Sequence, residues 1–242
     1  MESRFSREIH KASQATKRYS PSFHYEPQET IQNSLCGVEN TDSVSAVFTH
    51  TSADNKTAVL NFASYKNPGG AFIDGSKAQE ECLCHESFLY NVLKRQKAYY
   101  EWNNVNKNKA LYTNMALYTP DVYFFRDEGR TTCDVITCAA PNYTAAKEYC
   151  NVSEEENTRA LKDRIRFVLD IAADNHVDTL ILGAYGCGVF GQNPKEVAAI
   201  FKELLENRRY PFSSVIFAIP KSERDNNYEA FATVFAEKEA ER

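Results

Sequence analysis

The sequence predicts an α/β fold in which helices cover both faces of a parallel or mixed sheet. Two patterns carry this prediction. Short apolar segments are rich in Val, Ile and Phe, and the segments between them repeat apolar residues at helical spacing. Buried strands are expected at residues 58–63, 134–139, 179–182 and 215–219. A fifth strand is expected at 115–118, with a possible edge strand at 122–125.

Helices are predicted between these strands, over residues 76–96, 154–175, from 194 onward and 226–237. The first three begin at capping signals, formed by Ser76 with Gln79, Ser153 with Glu156, and Asn193 with Pro194. We expect residues 1–30 to form an N-terminal helix and linker, packed on one main domain of residues 31–242.

Charge and composition exclude several classes of protein. The formal net charge is -5 and there is no long basic run, so sequence-specific nucleic-acid binding is not expected. The short basic clusters at residues 94–97 and 208–209 are interpreted as cations at helix ends. No apolar run reaches the roughly 18 residues of a membrane span, and the polar N-terminus is unlike a secretory signal.

The seven cysteines favour a reduced, cytoplasmic protein, because their number is odd and only Cys82 and Cys84 form a close pair. No spacing of Cys or His matches a metal site, so neither a metal nor a cofactor is expected. A monomer is expected, since every predicted apolar stripe has a partner within the chain.

The glycines are concentrated after two of the predicted strands. Of nine glycines, two lie in residues 64–72 and four in residues 183–191. In layered α/β folds, ligands bind outside the carboxyl ends of the strands, where these loops begin. Glycine also lets the backbone approach a ligand closely. The two loops are therefore predicted to line one binding site.

The second loop has the chemistry of a diphosphate cradle. Successive backbone N–H groups and the positive end of a helix dipole both favour phosphate oxygens. A plain tight turn is the alternative, although four glycines in nine residues exceed what one turn needs. The G-x-G-x-x-G spacing lacks the acidic residue that follows in a dinucleotide-binding unit. The cradle would consist of Gly186, Cys187, Gly188, Val189, Phe190 and Gly191.

Glu80 and Glu81 follow the first loop near a predicted helix start. Neighbouring helical residues point about 100° apart, so one carboxylate can face a ligand while the other braces a sugar hydroxyl or the loop. Cleavage of a glycosidic bond needs a proton for the leaving oxygen and a base for water. The alternative is the ordinary preference of acidic residues for the first turn of a helix.

Several ordered blocks of sequence carry a resemblance to a known family. They are Asn61-Phe62-Ala63-Ser64, Asn67-Pro68-Gly69-Gly70-Ala71, Ala78-Gln79-Glu80-Glu81, and the segments 134–142 and 183–191, with Arg164 and Arg166 in the helix between the last two. Together they resemble the microbial-type poly(ADP-ribose) glycohydrolase family, whose signature is a glycine triplet followed by Gln-Glu-Glu.

The resemblance implies a macrodomain-like fold, a three-layer α/β/α mixed sheet, and hydrolysis of an ADP-ribosyl linkage without metal. ADP-ribose or an ADP-ribosylated protein would be the partner. Glu81 would be the catalytic acid/base and Glu80 would hold a ribose hydroxyl. Residues 186–191 would bind the diphosphate, and Phe190 would pack on the distal ribose. The other substrate-binding residues would be Asn67, Gly69, Gly70, Ala71 and Gln79.

Ala71 departs from the family pattern, because it stands where the third glycine of the triplet is expected. Its Cβ is expected to narrow the ribose site or tilt the loop. The departure favours a terminal or single ADP-ribose over an internal one.

Three other activities stay open. A macrodomain can bind ADP-ribose without hydrolysing it, although two carboxylates beside a diphosphate oppose binding. The same pocket could serve ADP-ribose on an arginine, a serine, a nucleobase or a small metabolite. A cysteine enzyme would use Cys187, which precedes a helix that favours a thiolate, with His85 as the candidate partner.

Overall fold

A mixed sheet lies between two layers of helices in the computed structural model, which describes residues 3–26, 34–127, 129–207 and 210–236. The strands are β1 (Lys17–Tyr19), β2 (Leu35–Glu39), β3 (Thr57–Phe62), β4 (Ala116–Arg126), β5 (Gly129–Cys138), β6 (Thr179–Leu182) and β7 (Ser214–Ala218). Their order across the sheet is β1-β4-β5-β3-β6-β7-β2. Neighbours from β5 to β2 are parallel, whereas β1, β4 and β5 pair antiparallel. The predicted α/β class with a mixed sheet is confirmed.

The helices within the described residues are α1 (Ser6–Ala15), α2 (Ser43–His50), α3 (Gln79–His85), α4 (Leu89–Leu93), α5 (Lys97–Val105), α6 (Tyr143–Cys150), α7 (Glu154–Asp174), α8 (Pro194–Asn207) and α9 (Asn227–Ala236). Two predicted helix starts are confirmed. Ser153 and Glu156 form a capping box at the start of α7. At the start of α8, the Asn193 side chain accepts a hydrogen bond from the Lys195 N–H at 2.9 Å.

Two hydrophobic cores, one on each face of the sheet, hold the layers together. Along β3, Ala58 and Leu60 belong to one core and Val59 to the other, as expected for a strand covered on both faces. Helices α7 and α8 pack into the first core through residues such as Ile165 and Phe201. Helices α1, α3 and α4 pack into the second core.

The predicted helix over residues 76–96 is wrong, because the chain forms the separate helices α3 and α4 there. Ser76 and Gln79 form no capping box, since α3 begins only at Gln79 and its N-cap makes no side-chain hydrogen bond. The break follows from contacts with β4, where the Phe88 N–H donates to the Tyr123 carbonyl at 3.4 Å. Tertiary pairing overrides helix continuity here.

The strand predictions need two corrections. The segments expected at 115–118 and 122–125 form the single strand β4, with a register shift between Thr119 and Val122. Strands β1 and β2 were not predicted, since they are short and mostly exposed edge strands without an apolar run.

The N-terminal segment packs on the sheet, because Ile9 and Ala12 of α1 are buried in the second core and β1 pairs with β4. The expected boundary at residue 30, the pair at 208–209 and residue 237 of the last predicted helix lie outside the described residues. In the part of the chain that the structure describes, no helix has the length and apolar character needed to cross a membrane.

Candidate active site

The two glycine-rich loops leave the sheet at the same edge. β3 pairs in parallel with β6, so the loop after Phe62 and the loop after Leu182 begin side by side. The rings of Phe62 and Tyr185 lie 5.6 Å apart between them. Gly183 permits this approach, because a Cβ there would come within 2.9 Å of the Phe62 ring. The two loops therefore lie side by side as predicted, and the packing of Phe62 against Tyr185 holds them together.

Gln79 anchors the start of α3 to the end of β3. Its Oε1 accepts a hydrogen bond from the Phe62 N–H at 2.9 Å, and its Nε2 donates to the Leu60 carbonyl at 2.8 Å and to Ser43 Oγ at 3.0 Å. The side-chain amide is thus engaged by the protein, although the resemblance implied contact with substrate. This brace fixes the direction in which Glu80 and Glu81 leave the helix.

Glu80 is buried and held by hydrogen-bond donors on two sides. Its Oε2 accepts from the Ser64 N–H at 2.6 Å, and its Oε1 accepts from Asn61 Nδ2 at 3.2 Å. Burial and, to a smaller extent, the charge of Glu81 raise the pKa of Glu80 to about 7, against the lowering effect of these donors. The carboxyl is therefore fixed in place and titrates near neutral pH.

Glu81 has one oxygen held by the loop and one without a partner. Its Oε1 accepts from the Ala71 N–H at 2.9 Å. Its Oε2 is buried and makes no hydrogen bond among the described residues. A buried carboxylate oxygen without a partner is costly, and such an atom marks a site where a ligand group or water is accommodated. The carboxyl is thus oriented through one oxygen and available through the other.

Gly69 and Gly70 allow the first loop to wrap around the two carboxyls. Their φ angles are 72° and 61°, in the left-handed region that favours glycine. A Cβ at Gly70 would collide with Glu81 Oε1, and one at Gly69 would come within 2.8 Å of the Tyr90 ring. Both glycines are required by contacts, in addition to their backbone angles.

The other two predicted residues of the first loop are exposed. Ala71 has a φ of -102° and a ψ of 31°, which an L-residue adopts without strain, so the expected tilt of the loop is not needed to accommodate its Cβ. Asn67 N–H donates to Ser64 Oγ at 3.2 Å, and its carbonyl accepts from the Gly70 N–H at 3.1 Å. Asn67 therefore shapes the turn with its backbone and presents its side chain to solvent.

The second loop folds back on itself before α8. The Gln192 N–H donates to the Gly186 carbonyl, and the Gly191 N–H donates to the Gly188 carbonyl at 3.0 Å. The N–H groups of Gly188, Val189 and Phe190 form no backbone hydrogen bond within the described residues. Val189 is 88% exposed, so this part of the loop faces solvent. Consecutive unsatisfied N–H groups are the geometry that binds phosphate oxygens.

Phe190 is connected to the first loop through an aromatic stack. The rings of Tyr65 and Tyr112 are stacked at 4.0 Å between centroids, and Tyr112 meets the edge of Phe190 at 6.1 Å. Tyr112 was missed by the sequence analysis. It lies in a turn where several non-glycine residues have positive φ angles, which no sequence pattern announces.

The buried Arg164 holds this turn in place. Its guanidinium donates to the carbonyl of Ala139, to the carbonyl of Leu111 at 3.4 Å and to Asn114 Oδ1 at 2.8 Å. Strained backbone of this kind costs about 1–3 kcal/mol per residue and persists only where surrounding contacts over-determine it. Arg164 is therefore a supporting residue for the wall formed by Tyr112.

Known proteins resemble this chain both in sequence and in fold. The sequence profile of a family described as the microbial-type PARG catalytic domain matches residues 1–127, just over half of the chain. The chain belongs to this family. Its members are glycohydrolases, so the protein is a hydrolase. None of the curated proteins matches the chain.

Solved structures of PARG proteins extend the likeness beyond residue 127. The poly(ADP-ribose) glycohydrolase of Deinococcus radiodurans in complex with ADP-ribose matches with a TM-score of 0.85 and 31% identity, over 95% of this chain and 97% of that one. The enzyme of Thermomonospora curvata matches with a TM-score of 0.83 and 29% identity, over 95% and 89% of the two chains. The macrodomain-like fold implied by the resemblance is thereby confirmed.

A groove of about 310 Å³ lies beside Gln79, the residue before Glu80 in the chain. It runs along the carboxyl ends of β3, β6 and β7, beside the start of α2. Sequence analysis did not find it, because its walls come from five separate parts of the chain. Its lining includes Asp42, Val44, Phe62, Gln79, Ala184 and Pro220.

Cys187 and His85 do not form a nucleophile and base. Burial, and then the charge of Asp225, raise the pKa of Cys187 to about 12, which opposes the thiolate expected from the sequence. His85 is exposed, and its Nε2 lies 3.1 Å from the Ser76 carbonyl. The cysteine-enzyme alternative therefore loses its chemical basis.

Proposed function

We propose that the protein hydrolyses ADP-ribosyl glycosidic linkages of poly(ADP-ribose) and releases ADP-ribose, with Glu81 as the acid/base. The observation that carries this proposal is the buried Glu81 Oε2, which has no hydrogen-bond partner in the described part of the chain, while Oε1 is held by the Ala71 N–H. An oriented carboxyl with one available oxygen suits proton transfer to a bound group. Family membership and the ADP-ribose in the Deinococcus relative support the choice of substrate.

The proposed reaction uses one carboxyl twice. Protonated Glu81 gives its proton to the oxygen that leaves the anomeric carbon, and the C–O bond breaks with its electron pair going to that oxygen. The resulting carboxylate then takes a proton from water while the water oxygen bonds to the oxocarbenium-like carbon. The products are ADP-ribose and the free hydroxyl of the leaving group, and Glu81 is protonated again.

Glu80 would orient the sugar during both steps. Its two oxygens are fixed by Ser64 and Asn61, so it can accept a ribose hydroxyl without reorganising. The diphosphate would rest on the backbone N–H groups of Gly188, Val189 and Phe190, and the groove beside Gln79 would receive the adenosine part. Two residues that line this groove support the assignment, because Gln79 precedes Glu80 in the chain and Ala184 belongs to the second glycine loop.

The test compares wild type, Glu81→Gln and Glu101→Gln, the last changing an exposed glutamate on α5. Two quantities are measured for each protein. They are the release of ADP-ribose from poly-ADP-ribosylated protein and the binding of free ADP-ribose by calorimetry. We expect Glu81→Gln to lose about 10²- to 10⁴-fold in kcat while still binding ADP-ribose, and Glu101→Gln to match wild type. If wild type binds ADP-ribose without releasing any from the polymer, it is a reader or a hydrolase of another linkage, and the proposal fails.

We further propose that the protein acts in the cytoplasm as a monomer on ADP-ribosylated proteins. An odd number of cysteines with a single C-x-C pair is typical of reducing compartments. Light scattering of the purified protein would test the monomer directly.

A further inference from the structure

Two segments of this chain are rich in cations, although the whole chain carries a formal net charge of -5. Residues 3–18 contain five Lys or Arg and one acid, Glu8, while residues 94–97 contain three cations and no acid. We define the cationic face as the exposed or half-exposed side chains of Arg4, Arg7, Lys11, Lys94, Arg95 and Lys97.

Packing brings the two halves of the cationic face together. Gln96 Nε2, in the α4–α5 junction, donates to the Ser13 carbonyl of α1 at 3.2 Å. Phe5 lies next to Arg4 in the chain and contacts Phe88, which precedes α4, at 6.5 Å between ring centroids. The segments around residues 4–13 and 88–97, far apart in sequence, are therefore neighbours in space.

The outward side of α1 belongs to the cationic face. Ile9 and Ala12 are buried beneath the helix, so Arg7 and Lys11, one turn apart, lie on the opposite, exposed side. Lys11 Nζ lies 3.6 Å from Asp121 Oδ2, and both side chains are largely exposed, so solvent screens this pair. α1 therefore contributes Arg7 and Lys11 to the cationic face, with Glu8 as the one acid of this helix.

The cationic face reaches the first glycine-rich loop, residues 64–72. Lys94 Nζ lies 5.8 Å from the centroid of the Tyr90 ring. The same ring lies 4.8 Å from Phe72, and it is the group that a Cβ at Gly69 would meet. A single side chain therefore separates Lys94 from the loop that holds Glu81.

We propose that the cationic face binds the part of a poly(ADP-ribose) chain that lies beyond the unit being cleaved. This inference rests on the proposed function. Each ADP-ribose unit carries a diphosphate, and the flexible chain is a polyanion that Lys and Arg side chains bind with release of counterions. The cationic face starts beside the first glycine-rich loop, so it would hold the polymer while the terminal unit occupies the site.

The test measures polymer binding without turnover, in a Glu81→Gln background. The face variant is Arg4→Glu/Arg7→Glu/Lys97→Glu. Its matched control is Arg130→Glu/Lys147→Glu/Arg159→Glu, which makes the same change in net charge at three exposed residues outside the face. The probes are long poly(ADP-ribose), free ADP-ribose and an RNA of equal phosphate number, each titrated between 50 and 200 mM NaCl.

We expect the face variant to bind the polymer at least about 10-fold more weakly and to lower the slope of log K against log salt by about 2, because three phosphate contacts are lost. Its affinity for ADP-ribose should stay unchanged, and the control variant should keep both polymer affinity and slope. RNA should compete more weakly than the polymer, because it has no unit that fits the catalytic site.

Three results would overturn the inference: equal behaviour of face and control variants, an equal loss of ADP-ribose affinity, or RNA competing as well as the polymer. If wild type binds no ADP-ribose, the proposed function itself fails. If wild type binds ADP-ribose but the face variant binds the polymer as tightly as the control variant does, only the further inference fails. Circular dichroism checks folding. If the triple variant does not fold, the single change Arg7→Glu is used, with an expected slope decrease of about 0.7.

Discussion

The Glu81 Oε1 oxygen accepts a hydrogen bond from the backbone N–H of Ala71 at 2.9 Å, which ties the proposed acid/base to the glycine loop. The same oxygen is the atom that a Cβ at Gly70 would strike. The conformation of the first loop therefore fixes the orientation of the Glu81 carboxyl. Changes in the loop should act on catalysis through Glu81.

Gly70→Ala should displace Glu81 and reduce kcat about 100-fold or more, because a misplaced acid/base loses its alignment with the reacting bond. The matched control is Gly75→Ala. Gly75 also has a positive φ, of 79°, but a Cβ there meets no atom within 4 Å. Both variants carry backbone strain, and only the first touches Glu81. Equal kcat values for the two variants, from ADP-ribose release at saturating substrate, would contradict this prediction.

Ala71→Gly should leave the fold unchanged, since a φ of -102° suits either residue, and should widen the ribose site by one methyl group. We therefore expect the variant to cleave internal linkages more readily than wild type, relative to single or terminal ADP-ribose. Product lengths on a sizing gel report this ratio. The hypothesis that Ala71 favours a terminal or single ADP-ribose is wrong if wild type shortens poly(ADP-ribose) efficiently and leaves mono-ADP-ribosylated protein untouched.

Glu80→Gln should stabilise the protein at alkaline pH while reducing its activity. Burial raises the pKa of Glu80 from 4.5 to about 7, so the folded state binds this proton more tightly than the unfolded state. The resulting stability is fully present below pH 4.5 and is lost as the pH rises through 7. At pH 8 the buried carboxylate costs about 3 kcal/mol.

Urea unfolding of wild type and Glu80→Gln at pH 5 and pH 8 checks this expectation. The free-energy advantage of the variant should grow with pH, and the exposed Glu101→Gln should show no such trend. An advantage that does not change with pH would rule out Glu80 as the titrating group.

Cys187→Ala should retain activity within about threefold of wild type, because the raised pKa keeps the thiol protonated and unreactive. ADP-ribose release is measured before and after treatment of the wild type with iodoacetamide. A loss of more than 100-fold in Cys187→Ala, with ADP-ribose binding intact, would restore the cysteine-enzyme alternative.

Buried strands were predictable because their side chains pack into a core on each face of the sheet. Successive residues are therefore apolar, and the strand is visible as an apolar run in the sequence. β3, β6 and β7 appear within one residue of their predicted bounds. The helix expected over residues 76–96 failed because local periodicity says nothing about the pairing of Phe88 with Tyr123, which interrupts it. The amide of Gln79 binds β3 and α2, which the sequence did not indicate, and its contact with substrate stays a prediction.

The sequence by itself determined the α/β class, the two glycine loops and the Glu80–Glu81 pair, because apolar periodicity, backbone freedom and side-chain chemistry are local properties. Only the tertiary structure decided which oxygen of Glu81 lacks a partner among the described residues, how Arg164 supports Tyr112, and that cations from α1 and the α4–α5 junction share one face. These relationships join residues distant in sequence. These contacts form only when the helical layers pack on the sheet, and this packing depends on the whole chain.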